Sequence, residues 1–201
     1  MKGLYDFVVE PIGDRYNNSV DVNGVKLIVN SKIETFKSVN NKAKVVEVPL
    51  SYNTDINVGD TVIVHHNVFR RFYDIRGNEK NSRSYLAENK YIVSIDQIYL
   101  YKRNHNWKTF MDRCFLAPIV NDKNTELNNL KIRKGVLVYG NTKLEKLNVN
   151  EGDVLSFKSL REFEFVIDKR LLYCMKSNDI LINYGRKRHE EEYNPSWANS
   201  C

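Results

Sequence analysis

Three short segments of this sequence combine residue types that could bind a partner or react. Residues 23–29 place a glycine and four aliphatic side chains inside a polar stretch, residues 65–66 are a histidine pair, and residues 68–76 mix arginines with aromatics. Aliphatic side chains could enter an apolar groove, imidazoles could ligate a metal, and cations beside aromatic rings could hold nucleic acid. The sequence contains no nucleophile, phosphate-binding or zinc-protease motif, so we assign no catalytic residue.

Composition limits the class of protein. The 201 residues are 42% hydrophobic and 28% charged, which is ordinary for one large or two small globular domains. No apolar run approaches a membrane span, and acidic residues interrupt the N-terminus before a secretory signal could form. Three scattered cysteines predict neither a disulfide framework nor a zinc site, so we expect a cytoplasmic protein. We interpret the net charge of +6, which is spread along the chain, as general solubility.

The chain repeats itself in four ordered blocks. Residues 8–12 return as 115–119, residues 42–49 as 133–140, residues 56–64 as 149–157, and residues 91–100 as 173–182. Four matches in the same order indicate a tandem duplication. The predicted units are residues 1–104 and 109–185, joined by a polar linker, and residues 186–201 are interpreted as a charged, solvated tail. Docking of that tail through Tyr193 and Trp197 is the alternative.

The repeated blocks predict the fold. They are short and rich in Val, Ile and Tyr, and no window has a helical apolar period. We therefore expect an all-β protein with low helix content. Units with many short strands bury their apolar faces best in closed barrels or sandwiches, so the sequence predicts two small β-barrels in tandem.

The histidine pair and the arginine strip are given structural interpretations. His65 and His66 are adjacent in a predicted strand, where neighbouring side chains point to opposite faces, so we expect no metal site. The strip at 68–76 aligns with residues 160–165, which are acidic, and a nucleic-acid groove is not expected to change sign between repeats. Nucleic-acid binding through Arg70, Arg71 and Phe72 is therefore the lowest-ranked hypothesis.

The order of the blocks resembles the GroES/chaperonin-10 co-chaperonin family over most of the chain. Residues 58–64 and 91–100 are similar to the family's V-G-D-x-V-x-F element and its Y-x-I-x-x-x-x-D-I-L ending. The second unit carries both again, at 151–157 and 172–181. Residues 42–49 and 133–140 resemble the G-K-V-V-A-V-G strand, and residues 7–12 and 115–119 resemble the opening R-V-L-V-K-P strand.

The resemblance implies a GroES-like barrel that forms a ring, a heptamer in that family, and caps an ATP-driven chaperonin in its nucleotide-bound state. Such a protein assists folding without being an enzyme and without a cofactor. In the family, a mobile loop between the first two strands inserts an apolar tripeptide, which follows a glycine, into a groove on the chaperonin. Neither a membrane nor nucleic acid is an expected partner.

Residues 13–41 occupy the position of that loop, and residues 23–29 resemble its G-G-I-x-L element. The resemblance implies that five residues contact the chaperonin: Gly24, Val25, Leu27, Ile28 and Val29. A polar loop with an apolar centre would become ordered on binding, and a ring of such loops would supply avidity. The same residues also predict a hairpin with an Asn-Gly turn, whose arms could simply pack on the barrel. Both interpretations stay open at this point.

Three features depart from the family. Lys26 interrupts the apolar tripeptide, the second unit has only residues 121–131 in the loop position, and residues 76–89 are an insertion without a counterpart. We therefore carry a second hypothesis, in which a structural or assembly protein has kept the barrel and lost the chaperonin. The Asn- and Lys-rich composition suits a phage or an AT-rich bacterium, and a phage-encoded protein would act in the host cytoplasm.

Overall fold

The computed structural model of the protein describes residues 3–16, 19–22, 25–28, 39–120, 125–127, 130–188 and 191–200. Across these ranges strands are the main regular structure, and the only α-helix they contain is the single turn α1, Thr142–Glu145. The predicted all-β fold with low helix content is confirmed. Within the same ranges, no helix has the length and apolar character that crossing a membrane would require.

The chain divides into two compact units, Met1–Asn106 and Trp107–Cys201. The earlier strands are β1 Phe7–Pro11, β2 Ser19–Val22, β3 Val25–Ile28, β4 Lys42–Glu47, β5 Thr61–Val64, β6 Phe72–Tyr73, β7 Glu79–Lys80, β8 Tyr85–Ala87, β9 Lys90–Val93, β10 Ile98–Arg103 and β11 Asn106–Thr109. The later strands are β12 Arg113–Pro118, β13 Thr125–Leu127, β14 Leu130–Tyr139, β15 Asp153–Lys158, β16 Phe163–Ile167, β17 Arg170–Lys176 and β18 Ile180–Arg186. Closure of the sheets into barrels stays a prediction, as do the domain limits drawn from the sequence.

Each main sheet has the same strand order. The first is β11-β10-β5-β4-β1-β9-β8, and the second is β16-β17-β12-β14-β15-β18. Reversing the second order matches it to the first strand for strand, except that β11 adds an extra edge strand beside β10. The strands that the two sheets have in common all pair antiparallel with their neighbours. A repeated strand order is what duplication of one folded unit would produce.

Irregularities in the ladders recur at equivalent places. A register shift falls between Val8 and Val9 in the β1–β4 pair and between Phe115 and Leu116 in the β12–β14 pair. Val9 then pairs with Val45, and Leu116 pairs with Leu137. The structure therefore equates Val45 with Leu137, one residue further along than the sequence blocks place it. The register of a strand depends on which strands it pairs with. The sequence pattern alone therefore leaves the register uncertain by one residue.

The turns that lead into β5 and β15 are built alike. In each turn the aspartate carboxylate accepts the backbone N–H three residues earlier, at 2.8 Å for Asp60 and 3.0 Å for Asp153. The N–H of the preceding glycine donates to a carbonyl of the previous strand, at 2.8 Å for both Gly59 and Gly152. Gly59 has φ +92° and Gly152 has φ +93°, a backbone conformation that strains any residue with a Cβ.

Apolar side chains from the central strands form the core of each unit. Fully buried side chains of the first unit include Phe7, Val9, Val62, Ile63 and Phe69. The core cluster of the second unit includes Leu116, Leu137, Leu144, Leu155, Phe157 and Met175, which come from several strands and from α1. Burial of these side chains, at roughly 25 cal/mol per Å² of apolar surface, is the main force that holds each sheet together.

The C-terminal segment packs on the second unit. Ile119 forms an antiparallel bridge with Glu192, Trp197 packs against the core cluster, and Ala198 is fully buried. The expected solvated tail is therefore not found over residues 191–198. The charged residues before this stretch favour a solvent-exposed tail. The apolar residues after them pack against the second unit instead.

Gly59→Ala and Gly152→Ala should each lower the free energy of unfolding by about 1–3 kcal/mol, because both place a Cβ at a strained φ. Gly140→Ala is the matched control, since its Cβ would meet only Leu137 Cδ2 at an ordinary 3.5 Å. Urea denaturation followed by fluorescence measures the three variants. A Gly152→Ala variant as stable as the wild type, or an equal loss for Gly140→Ala, would contradict the account of these turns.

Candidate functional site

Three of the five residues predicted to contact a partner lie on a β-hairpin between β1 and β4. Val25, Leu27 and Ile28 belong to β3, which pairs antiparallel with β2, whereas Gly24 and Val29 lie outside the described residues. Val25 is the first residue after the turn position, and 60% of its surface is exposed. The backbone is therefore that of the hairpin interpretation, and Val25 is accessible to a partner.

The hairpin register gathers apolar positions on one face. Val22 pairs with Val25, and Val20 pairs with Leu27. Directly opposed positions of an antiparallel pair share a face of the ribbon, and successive positions along a strand alternate between faces. Positions 20, 22, 25 and 27 therefore form one row, and each is Val or Leu. We call these four positions the apolar row.

The charged positions fall on the other face of the ribbon. Lys26 pairs with Asp21, and Ile28 pairs with Ser19. Lys26 therefore does not interrupt the apolar row, although it does interrupt the apolar run in the sequence. Ile28 shares the face of Lys26, so the register does not bring the whole predicted contact set together.

The hairpin forms a sheet of its own. In the sheets formed by the described residues, β2 and β3 pair with each other and with no strand of the main sheet. The loop position of the second unit is different, because β13 pairs with the first residues of β14, a strand of ten residues that continues into the main sheet. The short hairpin of the second unit thus extends its sheet, whereas the hairpin of the first unit stands apart from the main ladder.

A bridge closes the base of the first hairpin. Tyr16 and Val39 form an antiparallel bridge, and both residues are buried. Beside them, the N–H of Asn40 donates to the carbonyl of Arg15 at 2.9 Å. The two arms that leave β1 and enter β4 are therefore joined before the hairpin begins, and we call this joined region the stem.

The side chain of Asn40 fastens the stem from within. Its Nδ2 donates to the carbonyl oxygens of Ile12 at 2.8 Å and Asp14 at 2.9 Å, and its Oδ1 accepts the N–H of Lys42 at 2.9 Å. Asn40 is only 5% exposed, so these bonds satisfy the polar atoms of its own buried side chain. The sequence does not predict this role for Asn40, because one asparagine in a polar segment belongs to no recognisable motif.

The stem is also fastened to the segment that follows β5. The guanidinium of Arg15 donates twice to the carbonyl of Phe69, at 3.1 and 2.9 Å. The N–H of Arg71 donates to the hydroxyl of Tyr16 at 2.5 Å, and the Arg71 guanidinium lies 5.0 Å from the centre of that ring. Burial raises the pKa of Tyr91, whose ring lies 5.5 Å from Arg15, and the positive charge of Arg15 opposes that shift.

This segment is the true insertion of the first unit. Residues 65–84 connect β5 to β8, whereas residues 159–162 suffice to connect β15 to β16. The sequence places the insertion at 76–89, but β8 within that range pairs with β9 as β16 pairs with β17. The arginine strip at 68–76 therefore has no counterpart in the second unit, and its comparison with the acidic residues 160–165 does not hold.

The histidine pair stands at the start of the insertion. His65 and His66 stack with ring centroids 4.3 Å apart, because the chain turns into a short 3-10 helix at His66–Val68 instead of continuing as a strand. Burial is the largest cause that lowers the pKa of His66 to about 4, and His65 and Arg70 add to the effect. In the described part of the chain, no three His, Cys, Asp or Glu side chains are grouped to hold a metal ion.

No protein-family model matches the chain, and no curated protein matches it. The resemblance to co-chaperonins rests on the motifs quoted above.

Asn40→Ala should destabilise the stem, because it removes the three hydrogen bonds by which this buried side chain joins the two arms. We expect a loss of about 1–3 kcal/mol in the free energy of unfolding. Asn53→Ala is the control, since Asn53 is exposed and its loss orphans no buried group. Urea denaturation gives the free energies, and limited proteolysis of residues 13–41 reports the stem. Equal behaviour of the two variants would refute the role assigned to Asn40.

His66 should make stability depend on pH. Its pKa is near 4 in the folded protein and near 6.5 in the unfolded chain, so the unfolded state binds more protons between these values. The free energy of unfolding should therefore fall as the pH is lowered from about 6.5 towards 4. His66→Asn should remove this part of the dependence, and His105→Asn, at an exposed turn, should keep it. Denaturation curves recorded across this pH range measure the effect. An unchanged pH profile in His66→Asn would contradict the lowered pKa assigned to the buried imidazole.

Proposed function

We propose that this protein is a co-chaperonin, which assembles into a ring and caps the folding chamber of a GroEL-type chaperonin in its nucleotide-bound state. The β2–β3 hairpin is the contact element, and the apolar row enters a groove on the chaperonin. The protein performs no chemistry of its own, and the chaperonin hydrolyses the ATP. The proposed location is the cytoplasm, or the host cytoplasm if a phage encodes the chain.

One observation carries this proposal: a hairpin with an apolar row rises from a fastened stem between the first two main strands. Val25 exposes 60% of its surface near the turn, where a partner would meet it. Asn40 and the Tyr16–Val39 bridge fix where the hairpin leaves the main sheet. Exposed apolar surface such as that of Val25 favours contact with another protein, because its transfer out of water lowers the free energy.

The energetics of a ring suit reversible capping. A single hairpin presents a small apolar surface, and part of the gain on binding is spent on ordering it, so each site binds weakly. Several identical hairpins on one ring raise the overall affinity through their high effective concentration. A nucleotide-driven change in the chaperonin then needs to weaken each site only slightly to release the whole ring.

An open sheet edge supports self-assembly. β18 lies at the edge of its sheet, and Leu181, Ile182 and Tyr184 are 38%, 42% and 51% exposed. The equivalent strand β10 has a neighbour, β11, on that side, and its first four residues are buried. An unpaired edge with apolar side chains is a place where a further strand can add, and a second copy of the chain is the proposed source. A ring, with seven subunits favoured from the resemblance, would remove this edge.

The same edge favours a second candidate, a structural protein that assembles through the barrel and binds no chaperonin. The two candidates differ in what the hairpin does. In the second candidate its apolar row packs within the assembly, so residues 13–41 should resist protease in the assembled protein. In the co-chaperonin the segment should be cut in the free ring and protected once the chaperonin and nucleotide are added.

Val25→Asp should weaken chaperonin binding at least tenfold, because a carboxylate at the end of the apolar row must be desolvated in the groove. Val58→Asp is the matched control: Val58 belongs to the same unit and is 59% exposed, against 60% for Val25. Biolayer interferometry on an immobilised bacterial chaperonin with ADP measures both variants. Leu27→Asp should behave like Val25→Asp.

Val25→Asp and Val58→Asp should both keep the wild-type thermal midpoint, which shows that folding is unaffected. Binding by Val25→Asp at wild-type strength would exclude the hairpin as the contact element. A loss of binding by Val58→Asp of the same size would show that added negative charge, and not the apolar row, is being measured.

A further inference from the structure

The insertion of the first unit is a built element with a buried base. Val68 and Phe69 are fully buried, and the hydroxyl of Ser82 donates to the carbonyl of Val68 at 2.6 Å, which joins the two ends of the excursion. Between them, β6 and β7 form a short hairpin that pairs Phe72 with Lys80. The β6–β7 hairpin is therefore anchored at its base, and the residues beyond the base can face solvent.

The turn of this hairpin is closed by one carboxylate. Oδ1 of Asp74 accepts the N–H groups of Arg76 and Asn78, both at 2.9 Å. Ile75, at the tip, is fully exposed. Such a turn fixes the positions of the side chains on the strands below it.

The two faces of the β6–β7 hairpin differ in charge. On one face the ring of Phe72 is 41% exposed, the guanidinium of Arg70 lies 5.4 Å from its centre, and Lys80 is directly opposite in the register. On the other face the positive charge of Arg71 lies 3.3 Å from the carboxylate of Glu79. The Arg70–Phe72–Lys80 surface, which we call the cationic aromatic face, therefore combines an accessible ring with two cations.

The charges of this face are available to a ligand. Lys80 lies 3.8 Å from Asp74, a surface pair of little strength that a phosphate could replace. No acidic partner lies within ion-pair distance of Arg70 among the described residues, and its Nε is buried without a hydrogen-bond partner there. Residues 65–84 hold five Lys or Arg against two Asp or Glu, so this segment carries half of the net charge of +6.

We infer that the cationic aromatic face binds single-stranded nucleic acid, with a base stacked on Phe72 and the flanking phosphates held by Arg70 and Lys80. Every base offers a π face, so stacking tolerates any sequence, and cations beside an accessible ring can hold the phosphates that flank a stacked base. An acidic protein surface would use the two cations but would gain little from the exposed ring. The inference is independent of the proposed co-chaperonin activity.

Fluorescence anisotropy of a labelled oligothymidylate, titrated with the full-length protein, tests this inference. Phe72→Ala should weaken binding about tenfold, and Phe72→Trp should preserve it. Phe163→Ala is the matched control, because Phe163 is a 54% exposed ring on a strand of the second unit and should not matter. The double variant Arg70→Gln, Lys80→Gln should reduce the slope of log K against log salt by about 1.4, which corresponds to two phosphate contacts.

Three results would overturn the inference. The first is no binding of the oligonucleotide at about 50 mM salt, where phosphate contacts are strong. The second is wild-type affinity in Phe72→Ala. The third is displacement of the oligonucleotide by polyglutamate as efficiently as by unlabelled oligothymidylate, which would assign the face to an acidic protein. Circular dichroism checks the fold of each variant, and Phe72→Leu, which keeps apolar bulk without a ring, repeats the test if Phe72→Ala does not fold.

Discussion

Antiparallel pairing of β1 with β4 is the constraint from which the candidate site follows. Paired strands lie about 5 Å apart, so the sheet fixes both ends of the segment that connects them. The N–H of Ile12 donates to the carbonyl of Lys42 at 3.0 Å where that segment leaves and returns. The entropic cost of a longer connection rises only slowly with its length. The sheet therefore tolerates a long connection in the first unit and a short one in the second, and the two units differ where a difference costs least free energy.

Polar contacts hold the long connection between β1 and β4 in a defined position. Asn40 and the bridge between Tyr16 and Val39 join the two arms of the excursion, so the hairpin starts from a fixed place. The insertion after β5 is attached to the same stem, through Arg15 on Phe69 and Arg71 on Tyr16. The two elements that set the first unit apart from the second are thus in contact with each other. A two-stranded hairpin is marginally stable alone in water, so a partner that covers its apolar row would also stabilise its strands.

The sequence predicts the local features of this protein better than its long-range contacts. Val- and Ile-rich blocks and the glycine-aspartate turns are local, and each leads to the strand or turn expected of it. The Asn-Gly signal is also local, and the strands on either side of it pair as a hairpin. The register that equates Val45 with Leu137 depends on strands far apart in the chain, so an alignment of blocks misses it by one residue. The sequence does not predict β8, because a short strand in a polar stretch has little alternation of apolar and polar residues. The roles of Asn40 and Trp197 depend on the surfaces that tertiary folding brings to them.

The central claim is that a duplicated GroES-like chain caps a chaperonin through one hairpin per subunit. Sedimentation velocity tests it most directly, with the protein run alone, with a bacterial chaperonin, and with the chaperonin plus ADP. An established co-chaperonin serves as the positive control. The account predicts a ring-sized particle for the protein alone, which moves with the chaperonin only when ADP is present. Sedimentation of this protein apart from the chaperonin, under conditions in which the control binds, would contradict it.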